Sequence, residues 1–272
     1  LIVKVCHLGG RIVKYNARMA LSLLKRSPEI IKLIGFEGLE KIEDLASRTG
    51  KESWTTSVSL LEASPAIIER VGYAGLEQIA ALACLIARQN SYGAVSLLEK
   101  SPDLIDHLLL HRGTPLVLRV YALANDAALA DWMLASTLLE KSPGLLTRIG
   151  TDGLSRLFTL MNKNTLNSGK IANRLLDISP AIIDKIGFEG LENLITCAST
   201  IAERDWQAAI TVVEKSPRLI DRLNSAGDKA IAPNVYQMAA LTARTSAAVA
   251  EKLLEKSPEF IRTTPGRAGV GH

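Results

Sequence analysis

The chain has 272 residues, of which 47% are apolar, 22% charged and only 4% aromatic, with a net charge of +4. This composition excludes a disordered or collagen-like chain, and so small and dispersed a charge implies neither nucleic acid nor an acidic membrane surface as a partner. The longest apolar run, Ile79 to Ala87, has nine residues, well short of the roughly 18 to 20 a membrane helix needs. No secretory signal pattern opens the sequence, and a cytoplasmic location is expected. Cys6, Cys84 and Cys197 are odd in number and widely spaced, which makes neither a disulfide framework nor a zinc pattern. They are expected to be buried thiols.

In chain order the dominant signal is Ser-Pro, at Ser27-Pro28, Ser64-Pro65, Ser101-Pro102, Ser142-Pro143, Ser179-Pro180, Ser216-Pro217 and Ser257-Pro258, spaced 37, 37, 41, 37, 37 and 41 residues apart. A fixed period in the range of about 20 to 50 residues marks a tandem array whose units bury their apolar faces against each other. The spacing itself repeats after 115 residues, and PAIIERVGYAGLEQIAALA (from Pro65) matches PAIIDKIGFEGLENLITCA (from Pro180), so a three-repeat block has been duplicated. Residues 1–26 read as a partial repeat, followed by full repeats at 27–63, 64–100, 101–141, 142–178, 179–215 and 216–256, in a single domain spanning 1–262 with a disordered tail at 263–272. Leu1 aligns with Gly75, inside a repeat. The sequence therefore reads as a segment of a longer protein, whose uncovered first face is expected to self-associate end to end or leave Leu1 to Arg26 loosely ordered.

Within a repeat, a leucine or valine pair precedes each proline by five and four residues, from Leu23-Leu24 to Leu253-Leu254, and these are candidate core positions. Eight residues before the proline every copy is small: Ala20, Ser57, Ala94, Ala135, Ala172, Ala209 and Ala250. A small side chain one turn from the leucines lets two helices approach closely. The serine is expected to end one helix and, as N-cap, to begin a short one with proline at its first position. Gly35, Gly72, Gly150 and Gly187, with Asn224 in another copy, then close that short helix through a left-handed residue, and a second glycine three residues on opens a middle helix. Each repeat is expected to be short helix, long helix, long helix. This plan resembles the armadillo and HEAT type of right-handed α-solenoid, which implies an all-α fold of about six three-helix repeats. The third and sixth copies carry four extra residues and a proline, Pro115 or Pro233, and lose the Gly-x-x-Gly-Leu pattern.

Chemistry is sparse. Four histidines and no phosphate-binding glycine loop after a strand point away from an enzyme, and no cofactor is expected. Asp103, His107 and His111, at i, i+4 and i+8, place three potential ligands on one helical face, but apolar residues between them argue against a metal. Two columns are more informative. Arg70, His107, Arg148, Lys185 and Arg222 recur five residues after the proline, beside an acidic column of Glu69, Asp106, Asp184 and Asp221, and neighbouring copies are expected to pair them in a solvated network. Trp54, Trp132 and Trp206, with Tyr92 one position off, recur near the start of the third helix. They serve either core packing at a helix joint or an aromatic anchor row for a partner.

The phrase from Pro180 to Pro217, with Ser-Pro-x-Ile-Ile, the Gly-x-x-Gly-Leu turn, Asp205-Trp206 and a leucine- or valine-rich close, resembles the helical repeats that precede the von Willebrand factor A domain in adaptor proteins of MoxR-class AAA+ ATPases, such as nitric oxide reductase activation proteins and Rubisco-activase adaptors. The resemblance implies a non-enzymatic recognition arm that helps an ATPase engage its client enzyme. No Asp-x-Ser-x-Ser metal-adhesion motif is present, and no ATP-binding residue carries over. The expected role is a protein-interaction scaffold, with a HEAT-like nucleic-acid binder using the basic column as the alternative.

Overall fold

The computed structural model describes residues 2–163, 169–226 and 231–263; the side chains of His111, Arg112, Ala130, 162–163, 169–170, Ala226 and Thr263 also lie outside the description. The expected tail at 263–272, apart from the backbone of Thr263, and the insertion-bearing segment 227–230 therefore lie outside the described residues. Among the described residues the protein is all-α, with ten helices and no strand: α1 (Ile2–Val13), α2 (Ala17–Glu52), α3 (Trp54–Ala87), α4 (Ser91–Arg112), α5 (Thr114–Ala130), α6 (Trp132–Lys163), α7 (Gly169–Ala202), α8 (Trp206–Ala226), α9 (Ile231–Ala243) and α10 (Ala247–Thr263).

The Ser-Pro expectation is overturned. Pro28, Pro65, Pro102, Pro143, Pro180, Pro217 and Pro258 all lie inside helices, not at their starts. Their serines, almost all fully buried, donate backwards to carbonyls in the preceding turn, as in Ser64 Oγ to Leu60 O at 2.6 Å and Ser101 Oγ to Leu97 O at 2.7 Å. A proline removes one ladder hydrogen bond and crowds the carbonyl four residues back, and a back-bonding serine adds to the bend. Ser-Pro is thus a bend within one helix. In Ser27 and Ser142 the hydroxyl goes to Leu24 O and Leu139 O, the carbonyls that Pro28 and Pro143 leave without a donor.

The N-caps stand twelve residues before each proline. Asn16, Ser53, Asn90, Asp131, Asp205 and Ser246 accept from backbone N–H groups two or three residues on, for example Gly93 N to Asn90 Oδ1 at 3.0 Å and Gln207 N to Asp205 Oδ1 at 2.9 Å. Ser168, at the same phase, lies outside the described residues. Such caps each contribute about 0.5 to 2 kcal/mol.

The sharp kinks come from glycine. Gly72 has φ 72° and ψ −177°, and Gly35, Gly150 and Gly187 match it closely. This is the extended positive-φ region open essentially to glycine alone, not the left-handed helical region that asparagine tolerates. Asn224 accordingly makes no kink, and α8 runs past it to Ala226. Three residues on, a Cβ at Gly75 would come within 2.2 Å of Val71 Cγ2, so the second glycine is set by packing across the bend. In the third copy the break moves to Gly113 (φ 74°), four residues later than its counterparts, so the insertion adds about one helical turn before the kink.

The helices group into two compact units, Leu1–Thr147 and Arg148–His272. In the first, α1 packs on α2, α2 on α3, α3 on α4 and α5, and α4 on α5. In the second, α7 packs on α8 and α9, and α10 lies against α8 and α9. The small column is buried in every copy, and Ser57 Oγ there reaches Ala46 O on α2 at 2.7 Å. The leucine and valine pairs are core except at Leu253, which is half-buried, and Leu24, which is 38% exposed and lies over Gly9 of α1. By length and composition α3 is apolar enough to cross a membrane, yet half of its most apolar window is buried within the protein. Of the cysteines only Cys197 is buried; Cys84 is half-buried with its Sγ 3.2 Å from Thr49 Oγ1, and Cys6 is exposed. The expectation of three buried thiols fails because Cys6 occupies an outward position on α1.

Candidate interaction surface

Three sets of side chains join neighbouring helices along the surface. The basic column makes the first. Arg70 forms a two-pronged pair with Asp106 (2.7 and 2.8 Å), Lys185 reaches Asp221 at 2.5 Å and Arg148 reaches Asp184 at 3.5 Å. Each cation meets an acid 36 residues on. His107 instead has Nδ1 2.7 Å from its own helix's Asp103 carbonyl, because the next copy offers Thr147 where the others offer an acid. Arg222 lines a groove between α8 and α10 with Arg218, Glu251 and Glu255. The Arg70 guanidinium holds the Asp106 carboxyl below its ordinary range.

A second set lies on the helix faces just before each Ser-Pro. Arg26 pairs with Glu62 at 2.8 Å, Lys100 with Glu140 at 2.8 Å and Lys215 with Glu255 at 2.8 Å. The helices continue past Lys100 and Lys215, so each lysine serves a neighbouring helix's carboxylate and not a helix end. The third set went unread in the sequence. Phe36, Tyr73 and Phe188 each follow a kink glycine, and each ring is covered by a cation 32 residues earlier: Lys4 at 5.4 Å, Lys41 at 5.5 Å and Arg156 at 4.8 Å. The phase of these aromatics one residue after glycine was the available signal. Cation–π contacts at exposed sites contribute about 0.5 to 1 kcal/mol.

The aromatic row lies at the helix starts, immediately after the caps. Trp54 is 40% exposed, Trp206 47% and Tyr92 89%. Trp132 is half-buried, and a Cβ added at Gly93 would come within 2.8 Å of its indole. Trp132 therefore packs at a helix joint while Trp54 and Tyr92 present ring surface to solvent in the same unit. Trp206 occupies the corresponding start of α8 in the second unit. Arg18 lies over the Trp54 ring at 5.6 Å and Arg88 bonds Glu52 at 3.1 Å, so the turns at 14–18, 51–54 and 88–92 stand side by side.

No group of three or more His, Cys, Asp or Glu side chains is placed to hold a metal ion among the described residues. The side chain of His111, the third member of the candidate metal trio with Asp103 and His107, lies outside that description. Comparison with protein-family models, with curated proteins and with solved structures finds no match.

Proposed function

We propose that the protein is a non-enzymatic interaction scaffold whose repeats wind, within each unit, as a right-handed α-solenoid, and that it presents its helix-start edge to another protein in the cytoplasm. The observation that carries this reading is the exposed aromatic edge, where Trp54 and Tyr92 stand on neighbouring capped helices. A protein surface seldom leaves large aromatic rings in water on adjacent turns, and tryptophan and tyrosine are enriched in interface hot spots. The resemblance of the repeat phrase to the arms of AAA+ ATPase adaptors suggests an ATPase or its client enzyme as partner.

Binding of nucleic acid through the basic column is the less favoured reading. Arg70, Arg148 and Lys185 are already engaged by carboxylates, and a phosphate-tracking stripe needs cations free to release counterions.

A photo-crosslinking amino acid at Tyr92 tests the proposal, with Glu99 as an exposed control position away from the helix starts. Protein adducts at position 92 and none at 99 are expected. No adduct at 92, or adducts to DNA or RNA instead, would overturn it.

A further inference from the structure

We propose that the edge formed by the turns at 14–18, 51–54 and 88–92 docks an acidic peptide segment of a partner protein, seating an apolar side chain of that segment in the groove between α2 and α3. This rests on the interaction reading above and adds the chemistry of the partner.

The first observation is a charge imbalance. Residues 1–26 contain Lys4, Arg11, Lys14, Arg18, Lys25 and Arg26 and not one Asp or Glu. Lys4 lies over the Phe36 ring near the far end of α1 from these turns, Arg11 is engaged by Glu43, and Lys25 and Arg26 are engaged by Glu62. Lys14 and Arg18 lie instead over Tyr15 and Trp54, at 5.0 and 5.6 Å, and Lys51 follows at the end of α2. Among the described residues none of these three has a carboxylate within ion-pair distance. The ladder cations elsewhere on this unit, Arg26, Arg70 and Lys100, each meet an acid 36 or 40 residues on. A cation held over an aromatic face is positioned but not neutralised, so its field extends into solvent and selects an anionic partner.

The second observation is the groove, of about 470 Å³, that opens beside these turns. Its floor is apolar, with Leu45, Ala80 and Cys84, and its rim carries Arg48, Lys51 and Arg88 against Glu52 and Glu77. Clefts of about 300 to 1,000 Å³ hold drug-sized ligands, so this groove has room for an apolar side chain. Carboxylates on the docking segment would accept from Lys14, Arg18 and Lys51 while an apolar side chain fills the groove. A single-stranded nucleic acid fits less well. Lys14 and Arg18 already cover Tyr15 and Trp54, which leaves Tyr92 as the one open ring of this edge on which a base would stack.

The test uses fluorescence anisotropy of the full chain at low salt with three probes: a labelled peptide of about 15 residues of alternating Glu and Asp with a central Leu-Phe, the same peptide with Lys and Arg in place of the acids, and an oligothymidine of equal length. The acidic peptide is expected to bind tightest. Binding should weaken about ten-fold or more in K14E/R18E/K51E and in Ala81→Trp, which fills the groove mouth, and stay unchanged in Lys252→Glu on the second unit. Undiminished binding by both edge variants, or tighter binding of either other probe, would overturn the proposal; should the triple variant lose helicity, Ala81→Trp alone decides. Protein crosslinks at Tyr92 without binding of the acidic peptide would sink this inference and leave the interaction scaffold standing, whereas absence of both would sink the two together.

Discussion

The Tyr121 hydroxyl donates to Ser101 Oγ at 3.1 Å, and Ser101 in turn donates to Leu97 O at 2.7 Å, with both residues almost wholly out of solvent. Burial pushes the Tyr121 phenol above its ordinary range, against the opposing bond to Ser101, so it remains a donor at all usual pH. Ser101→Ala should cost about 1 to 3 kcal/mol because it orphans a buried hydroxyl, whereas Ser64→Ala removes only a back-bond and should cost about 0.5 to 1.5. Tyr121→Phe added to Ser101→Ala should recover part of the loss. Urea denaturation of the variants checks this, and equal losses at Ser64 and Ser101 would contradict the relay.

Gly72 has nothing within 4 Å of an added Cβ, yet its φ of 72° lies where side chains rarely go. Gly72→Ala should therefore destabilise by about 1 to 3 kcal/mol through backbone strain alone. Asn at the same position should bring no relief, since its ψ of −177° is outside the left-handed helical well. Denaturation midpoints decide it, and a neutral Gly72→Asn would show that the kink relaxes.

The small column is buried at Ala94 and Ala209. Leucine at either position should overpack the helix crossing and cost about 1 to 3 kcal/mol. A shift in thermal midpoint with retained helicity is the expected readout, and no shift would mean that the neighbouring helices move apart freely.

Arg70 and Lys215 hold the carboxyls of Asp106 and Glu255 below their ordinary values. Because the folded-state values are the lower ones, their stabilisation is present above the unfolded values of about 4 and is lost as pH falls through the folded values. The urea midpoint should hold between pH 7 and 5 and drop toward pH 3, with a smaller drop in the Arg70→Ala/Lys215→Ala variant. A midpoint that rises on acidification would show that these ladders do not contribute.

Thiol labelling should proceed in the order Cys6, Cys84, Cys197. Cys6 is exposed, Cys84 shares its half-buried site with Thr49, and burial pushes the Cys197 thiol up to about 12. Cys197 should react only in denaturant, because the thiolate is the nucleophile. Fast native labelling of Cys197 would mean that α7 opens locally.

Local rules made several features legible in the sequence. The alanine column and the leucine pairs repeat at helical spacing, and apolar periodicity reports directly which face is buried, so the all-α class and the core positions followed. Gly72 and its counterparts were also readable as positions requiring positive φ. The Ser-Pro step misled because its residue types satisfy an N-cap and a mid-helix bend equally well; burial of Ser64 and Ser101 among packed helices selects the bend, and the caps pass to Ser53, Asn90 and Asp131. Gly113 had the same ambiguity: a four-residue insertion shifts the kink by one turn, which local spacing alone does not reveal.

The surface was readable only in part. The amino-acid sequence by itself determined that Arg70 and Asp106 recur in adjacent columns, because both obey the period. Tertiary structure alone decided that Lys4, Lys41 and Arg156 cover the rings of Phe36, Tyr73 and Phe188, and that Arg18 lies over Trp54. The reason is physical: a helix's own pattern specifies which side chains share its face, but which face meets a neighbour, and at what offset, depends on how far the small column lets the two backbones approach and how sharply the glycine kink turns them.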